Sequence, residues 1–261
     1  MALIPLVGSV HVLPRTPGPD LRRMRYEFPF VESRRETPTT MTFRFSTRGT
    51  GFQYRSNQAI RLVFPKVQDP WGPARSFSLS SSPSESGWIE VTAKMTGSPF
   101  KEALRNLNPG DRAWVFGPLG DLLYDPTRSS LFVAGGIGIT PFRGMMRYAA
   151  DTGVLSPIRL LYSARVPEEF AFAKELDGIA RSHPHFRVQY TVTRPGETDT
   201  VWKGRTGRID ERWIRETLEG LDRPKAYVVG LPRMAHEILG TLRDRFNFTE
   251  DDLEYEYFRG Y

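Results

Sequence analysis

Leu131-Phe132-Val133-Ala134-Gly135-Gly136-Ile137-Gly138-Ile139-Thr140-Pro141-Phe142-Arg143 decides how this chain folds. Four apolar residues read as a short buried strand, and the glycine cluster after them as a sharp turn. Thr140 and Pro141 then stand where an N-cap and a first helical residue belong. The opening turn of a helix leaves N–H groups unpaired and its dipole favours an anion, so the segment is built to cradle a diphosphate. Its spacing, G-G-x-G-x-T-P, is neither the G-x-G-x-x-G fingerprint nor a P-loop, which would carry a Lys. Taken alone, the stretch would serve equally well as an ordinary strand-to-helix turn.

Downstream, apolar strands at Leu131–Ala134, Ile158–Ser163, Arg187–Thr193 and Ala226–Val229 alternate with helical stretches near Pro141–Asp151, Glu168–Ser182, Asp210–Leu221 and Arg233–Phe246. That alternation predicts a doubly wound parallel sheet over residues 125–261, with ligands at the carboxyl ends of its strands. Upstream, residues 26–124 read as short strands separated by turn signals, among them 41–46, 59–64, 76–80, 88–95 and 113–116. These predict an antiparallel β-barrel or sandwich. One helix interrupts them, starting near Ser98-Pro99 and ending before Asn108-Pro109-Gly110. Residues 1–25 read as an extension.

Composition narrows the chemistry. With 261 residues and 39% hydrophobic content, two domains with sizeable cores are expected. There is no cysteine, which excludes disulfides, thiolate metal sites and an iron–sulfur cluster held by these residues. His183-Pro184-His185 has no recognisable third ligand nearby, so no metal site is expected. Neither a membrane-spanning run nor a signal-peptide leader is legible, which predicts a cytoplasmic protein without a transmembrane segment. The net charge of +6 suits either a solvated basic face or the docking of an acidic protein. No nucleic-acid motif is present.

A second motif, Arg75-Ser76-Phe77-Ser78, lies in an extended run. Alternation puts Arg75 and Phe77 on one face and Ser76 and Ser78 on the other. An arginine fork suits a phosphate, an aromatic face suits a ring system, and a serine hydroxyl suits a heteroaromatic nitrogen. A polar edge strand would look the same.

In this order, Arg75-Ser76-Phe77-Ser78, the glycine turn at 135–141 and Val229-Gly230-Leu231-Pro232-Arg233-Met234 resemble the three signatures of the ferredoxin–NADP reductase-like flavoprotein family. The resemblance runs from about Tyr26 to Tyr261. It implies an FAD-binding β-barrel followed by an NAD(P)-binding α/β domain, and the activity of an FAD-dependent NAD(P)H reductase. By resemblance, Arg75 would contact a flavin phosphate, with Ser76 beside it; Phe77 would pack on the isoalloxazine and Ser78 would approach its N5 edge. Phe77 replaces the family's usual Tyr and loses its hydroxyl. Gly97 and Ser98 open the interrupting helix, whose N–H groups would hold a diphosphate and favour FAD over FMN, with Lys94 adding a positive charge.

For the coenzyme, Gly135, Gly136, Gly138, Thr140 and Pro141 would frame the diphosphate. Ser163 and Arg165, with Thr193 and Arg194, would read the adenosine ribose. Arg165 and Arg194 would favour NADPH over NADH if they converge on a 2′-phosphate. Val229 stands where the family has Cys, beside Gly230, near the nicotinamide. Glu256 and Phe258 match the acid-then-aromatic ending, with Tyr261 an alternative cover for the flavin. An amphipathic edge strand would instead put Tyr255, Tyr257 and Arg259 on one face. Three functions remain open at this point: a reductase for a separate ferredoxin-, Rieske- or haem-type protein, a flavin or quinone reductase or oxidase acting on a small acceptor, and an electron-relay subunit.

Overall fold

The computed structural model describes residues 25–120 and 123–258; the expected N-terminal extension, but for Arg25, and Tyr261 lie outside them. Six antiparallel strands come first: β1 (Arg25–Thr37), β2 (Thr40–Ser46), β3 (Ala59–Val63), β4 (Ala74–Ser78), β5 (Trp88–Lys94) and β6 (Arg112–Leu119). Their order is β4-β3-β6-β1-β2-β5. A bridge between Leu79 and Val91, with Ser80 N–H donating to Glu90 O at 2.9 Å, joins the two outer strands and closes a barrel. Alternate residues point inward, so Phe28, Phe43, Phe45, Ile60, Leu62 and Val91 form one apolar core. Helix α1 (Pro99–Arg105) adds Phe100 and Leu104 to that core.

β1 is the strand whose sequence hides it. Only Phe28 and Phe30 alternate as a half-buried strand should, and the rest is a charged run. That run is not simply solvated. Arg34 makes two hydrogen bonds to the Glu90 carboxylate, at 2.5 and 3.0 Å, and Arg44 reaches Glu90 and Glu32. Burial alone would raise the fully buried Glu90 carboxyl; Arg34, Arg143 and Arg44 outweigh it and hold the group below its ordinary range.

The second sheet is parallel throughout: β7 (Ser130–Gly135), β8 (Ile158–Ala164), β9 (Phe186–Val192), β10 (Arg205–Thr206), β11 (Lys225–Gly230) and β12 (Leu253–Tyr257). The spatial order is β10-β9-β8-β7-β11-β12. The chain therefore moves outward from β7 to β10, then crosses back to β11, and the order reverses between β7 and β11. On one face Phe132, Ala134 and Tyr162 pack with α2 (Thr140–Asp151) and α3 (Ala173–Ser182). On the other, Leu131, Val133 and Val228 pack with α4 (Glu211–Leu218) and α5 (Pro232–Phe246). The expected architecture, an antiparallel barrel followed by a doubly wound parallel sheet, is the one found. None of the described helices is long and apolar enough to cross a membrane.

The barrel and the parallel sheet meet along α2. Arg143, with its side chain 6% exposed, donates to Ser80 O at 3.1 Å, to Glu85 at 2.5 Å and to Glu175 at 3.1 Å. One residue on, a Cβ at Gly144 would press on the Ser81 carbonyl at 2.7 Å, so only glycine lets the helix lie this close to the barrel.

Candidate functional site

Crevices of open parallel sheets lie outside the carboxyl ends of the strands where strand order reverses. Here that point is bounded by the turn after β7 and the end of β11. Gly136 has φ +54 and open space where a Cβ would project, so it makes the sharp turn and leaves backbone accessible. Gly138 does different work: a Cβ there would overlap the Val229 carbonyl. At Gly135 a Cβ would overlap the Met234 sulfur. One glycine of the cluster faces open space and two permit close packing on β11 and α5.

The N-cap expected at Thr140 is not there. A 3-10 turn spans Gly136–Ile139 and runs straight into α2, so Thr140 already has helical angles (φ −55, ψ −50). Ile139 occupies the cap position without a side-chain bond, and Pro141 falls in the first turn.

Two loops beyond the neighbouring strands complete this side. Arg194 N–H donates to Arg165 O at 2.8 Å, and Thr193 N–H to Ala164 O at 3.0 Å, which staples the ends of β8 and β9 together. Ser163 lies half-buried just before that staple. The two guanidiniums do converge, and they converge on a carboxylate: Arg165 and Arg194 each reach one oxygen of Glu197 at 2.8 Å. Their hydrogen bonds hold the Glu197 carboxyl below its ordinary value.

On the barrel side, Arg75 and Phe77 share a face as alternation predicts. The Arg75 guanidinium lies 5.2 Å from the Phe100 ring centroid and the Phe77 ring 6.2 Å from it. Ser76 is exposed and Ser78 buried. Arg75 is heavily engaged by its own loop. It pairs with Asp69 and donates to the carbonyls of Trp71, Gly72 and Ala74 at 3.0, 2.8 and 2.8 Å.

Ser98 caps α1 as expected, accepting from Lys101 N–H at 3.4 Å, and Gly97 turns the chain before it with φ +76. The Phe100 N–H, expected to face a diphosphate, donates instead to Asp69 at 3.1 Å. Asp69 therefore sits between the arginine and the helix start. Burial would raise its carboxyl, but the N–H groups of Trp71 and Phe100 and the Arg75 guanidinium together hold it below its ordinary value. Lys101 lies alongside. Burial, then the positive charges of Arg75 and Lys94, bring its ammonium down to about 8. Lys94 itself reaches across to Glu169 at 3.1 Å, over a crevice whose wall includes Thr40, Gly136, Ile137 and Tyr162.

The last described strand brings the two halves together. β12 lies parallel to β11 with Glu256 opposite Val229. Ser78 Oγ donates to Glu256 Oε2 at 3.0 Å, linking barrel strand β4 to the edge of the parallel sheet. Burial raises the Glu256 carboxyl above its ordinary range, and the Ser78 bond works the other way. Phe258 N–H donates to Gly230 O at 2.9 Å, and its ring packs with the cluster that contains the buried Val229. For the edge-strand reading, the rings of Tyr255 and Tyr257 lie 5.2 Å apart, while Arg259 lies outside the described residues. The two descriptions are compatible because successive residues of a strand face opposite ways.

Asp69, Glu197, Glu169 and Arg143 are the site-forming residues that sequence reasoning did not single out. Asp69 could have been noticed as the acid in Asp69-Pro70-Trp71-Gly72-Pro73, a turn just before Arg75. The other three leave no local signal. The arrangement suits a phosphate-bearing ring cofactor. Three cations gather at the start of α1, an anion already sits among them, an aromatic ring lies beside them, and open backbone at Gly136 lines the crevice that one of them, Lys94, spans.

The oxidoreductase NAD-binding domain family matches residues 132–239. Ferredoxin–NADP reductase B of Sorangium cellulosum is 31% identical over 195 residues, which cover 71% of this chain and 78% of that protein. A glycine betaine monooxygenase reductase subunit of Chromohalobacter salexigens is 33% identical over 144 residues, 54% of this chain and 39% of that protein. Among solved structures, the CS-b5R domains of human Ncb5or superpose with a TM-score of 0.76 at 19% identity, covering 88% of this chain and 69% of theirs. With this fold and this relative, the chain belongs to the ferredoxin–NADP reductase-like family and is an FAD-dependent NAD(P)H oxidoreductase.

Proposed function

We propose that the chain takes reducing equivalents from NAD(P)H and delivers electrons to a separate redox protein of ferredoxin, Rieske or haem type. FAD, when bound, supplies the chemistry, because a flavin accepts two electrons as a hydride and can release them singly. The chain's own part is binding, orientation and proton handling. In this reading Arg75, with Lys94, Gly97 and Ser98, anchors the flavin's phosphates, Phe77 packs on its ring, and Ser76 lines the same strand. Gly136 and the turn to Pro141 receive the coenzyme diphosphate. Ser163, Arg165, Thr193 and Arg194 surround its adenosine ribose. Val229 and Gly230 form the floor of the nicotinamide end, with Phe258 beside them and Tyr261 as a further cover for the flavin.

The observation that carries this reading is the Ser78–Glu256 hydrogen bond, which ties the barrel to the edge strand β12, next to β11 and one strand from the reversal of strand order. It places a buried hydroxyl and a carboxyl that holds its proton to higher pH than usual at the meeting of the two halves. Ser78 and Glu256 are the catalytic residues of the proposal: the Ser78 hydroxyl donates to Glu256 Oε2, and the Glu256 carboxyl, which keeps its own proton to higher pH than usual, holds that proton in reserve where the two halves meet.

Stopped-flow reoxidation of the reduced holoprotein tests the partner class. The excess of Lys and Arg would steer an acidic protein, and steering fades as the Debye length shrinks to about 8 Å at physiological ionic strength. The expected result is a rate with an acidic ferredoxin that falls with salt, while the rate with a neutral quinone stays flat. If only the quinone reacts at a useful rate, the protein-partner reading fails and a small-acceptor reductase replaces it.

A further inference from the structure

Glu197 has no place in the roles assigned so far, yet it holds both arginines of the proposed ribose pocket. It closes the 3-10 turn Pro195–Glu197, with its N–H donating to Arg194 O at 3.1 Å. Its loop is pinned a second time, because Thr198 and Thr200 both donate to Glu168 on the segment after β8. The carboxylate therefore bridges the two strand-end loops.

We infer that Glu197 is the residue that sets coenzyme selectivity, because its carboxylate holds the two arginines a 2′-phosphate would need. This rests on the proposed placement of the adenosine ribose at Arg165 and Arg194. A 2′-phosphate is a dianion that matches two guanidiniums. With Glu197 in place the cluster carries a net charge of +1, not +2, and a negative group already occupies its centre. NADPH must displace that carboxylate or sit beside it. The ribose diol of NADH meets no such conflict, since hydroxyl groups donate to a carboxylate. The side chains of Arg165, Arg194 and Glu197 are 53%, 55% and 46% exposed, so an incoming ligand can reach all three. Exposed ion pairs hold weakly, which makes the contact an adjustable bias against NADPH and not an absolute block.

The test uses the FAD-loaded protein and two probes, 2′,5′-ADP and 5′-ADP, with dissociation constants from titration calorimetry at fixed ionic strength. Glu197→Gln keeps the size and removes the charge. It is expected to tighten 2′,5′-ADP by fivefold or more while shifting 5′-ADP by less than twofold. Glu197→Asp, which retains the charge on a shorter arm, should fall between the two. A double variant, Arg165→Ala with Arg194→Ala, separates the two layers of the argument. If it weakens 2′,5′-ADP but Glu197→Gln does not tighten it, the role given to Glu197 is wrong and the arginine site stands. If it leaves 2′,5′-ADP unchanged, or if that probe fails to bind any of the proteins, the ribose pocket lies elsewhere and the inference falls with it. Melting temperatures of all variants report whether a lost signal is lost fold.

Discussion

The barrel side and the parallel-sheet side of the proposed site are built on different terms. At the barrel, the polar groups are buried and already committed. Asp69 is fully buried and takes Arg75 and two backbone N–H groups, and Ser78 is bonded to Glu256. At the sheet, the groups are exposed and held by ion pairs alone: Arg165, Arg194 and Glu197 are each about half open to water. Buried, fully bonded groups lose little freedom when a ligand arrives, which suits a cofactor that stays. Exposed pairs break and re-form at small cost, which suits a coenzyme that enters and leaves with each turnover.

The comparison depends on the halves being joined, and Arg143 is where that is most easily broken. Arg143→Met leaves Glu85, Glu175 and the fully buried Glu90 without their shared cation. Breaking a buried pair by removing one partner costs about 3–5 kcal/mol. Urea denaturation should show a loss of that size. A loss below about 1 kcal/mol would mean that the halves are held together elsewhere.

On the barrel side, Arg75→Ala should weaken flavin retention by about 1.5–3 kcal/mol, the range for a charge-assisted hydrogen bond. Fluorescence of flavin released on dilution reads the change directly, and undiminished retention would show that the loop, not the phosphate, is the arginine's whole purpose. On the sheet side, Arg165→Ala combined with Arg194→Ala should raise the KM for NADPH by tenfold or more, about 1.4 kcal/mol. Equal effects on NADH and NADPH would reduce the pair to loop supports. Glu256 sits between the two sides and gives the smallest effect, one of pH. Its carboxyl is raised by burial, so its contribution to stability is complete below the ordinary carboxylate value and is lost as pH rises through the folded-state value. Glu256→Gln should remove that slope. The melting temperature of the variant relative to the unaltered protein should therefore improve between pH 4 and pH 8, and a pH-independent difference would refute the assignment.

What could be read from the chain follows what is local. The run Leu131–Ala134 with its glycines placed β7, the turn and α2, because apolar runs and glycine act within a few residues. The cap at Thr140 came out displaced because a 3-10 turn and an α-helix look alike in sequence. Period-two alternation set the faces of Arg75, Phe77 and Ser78 correctly. It also allowed Glu256 to face inward from a strand whose tyrosines face the other way. Glu197 and Asp69 were out of reach for a different reason. Each matters through a charge brought near by the fold, and no spacing rule ties Asp69 to the Phe100 N–H or Glu197 to Arg165. β1 was obscured because its outer face is charged, with Arg34 bonded to Glu90 and Glu32 to Arg44 on the next strand.

Gly138 has a consequence for how this site can change. Its approach to the Val229 carbonyl is backbone against backbone, so no side chain sets how closely the turn after β7 sits on the end of β11. Position 229 presents that carbonyl whatever its side chain, so the contact does not depend on valine standing there. Any side chain larger than hydrogen at position 138 would push the turn off the end of β11. In the proposed site the identity of residue 229 is therefore decoupled from this one contact, and the hydrogen at position 138 is not replaceable.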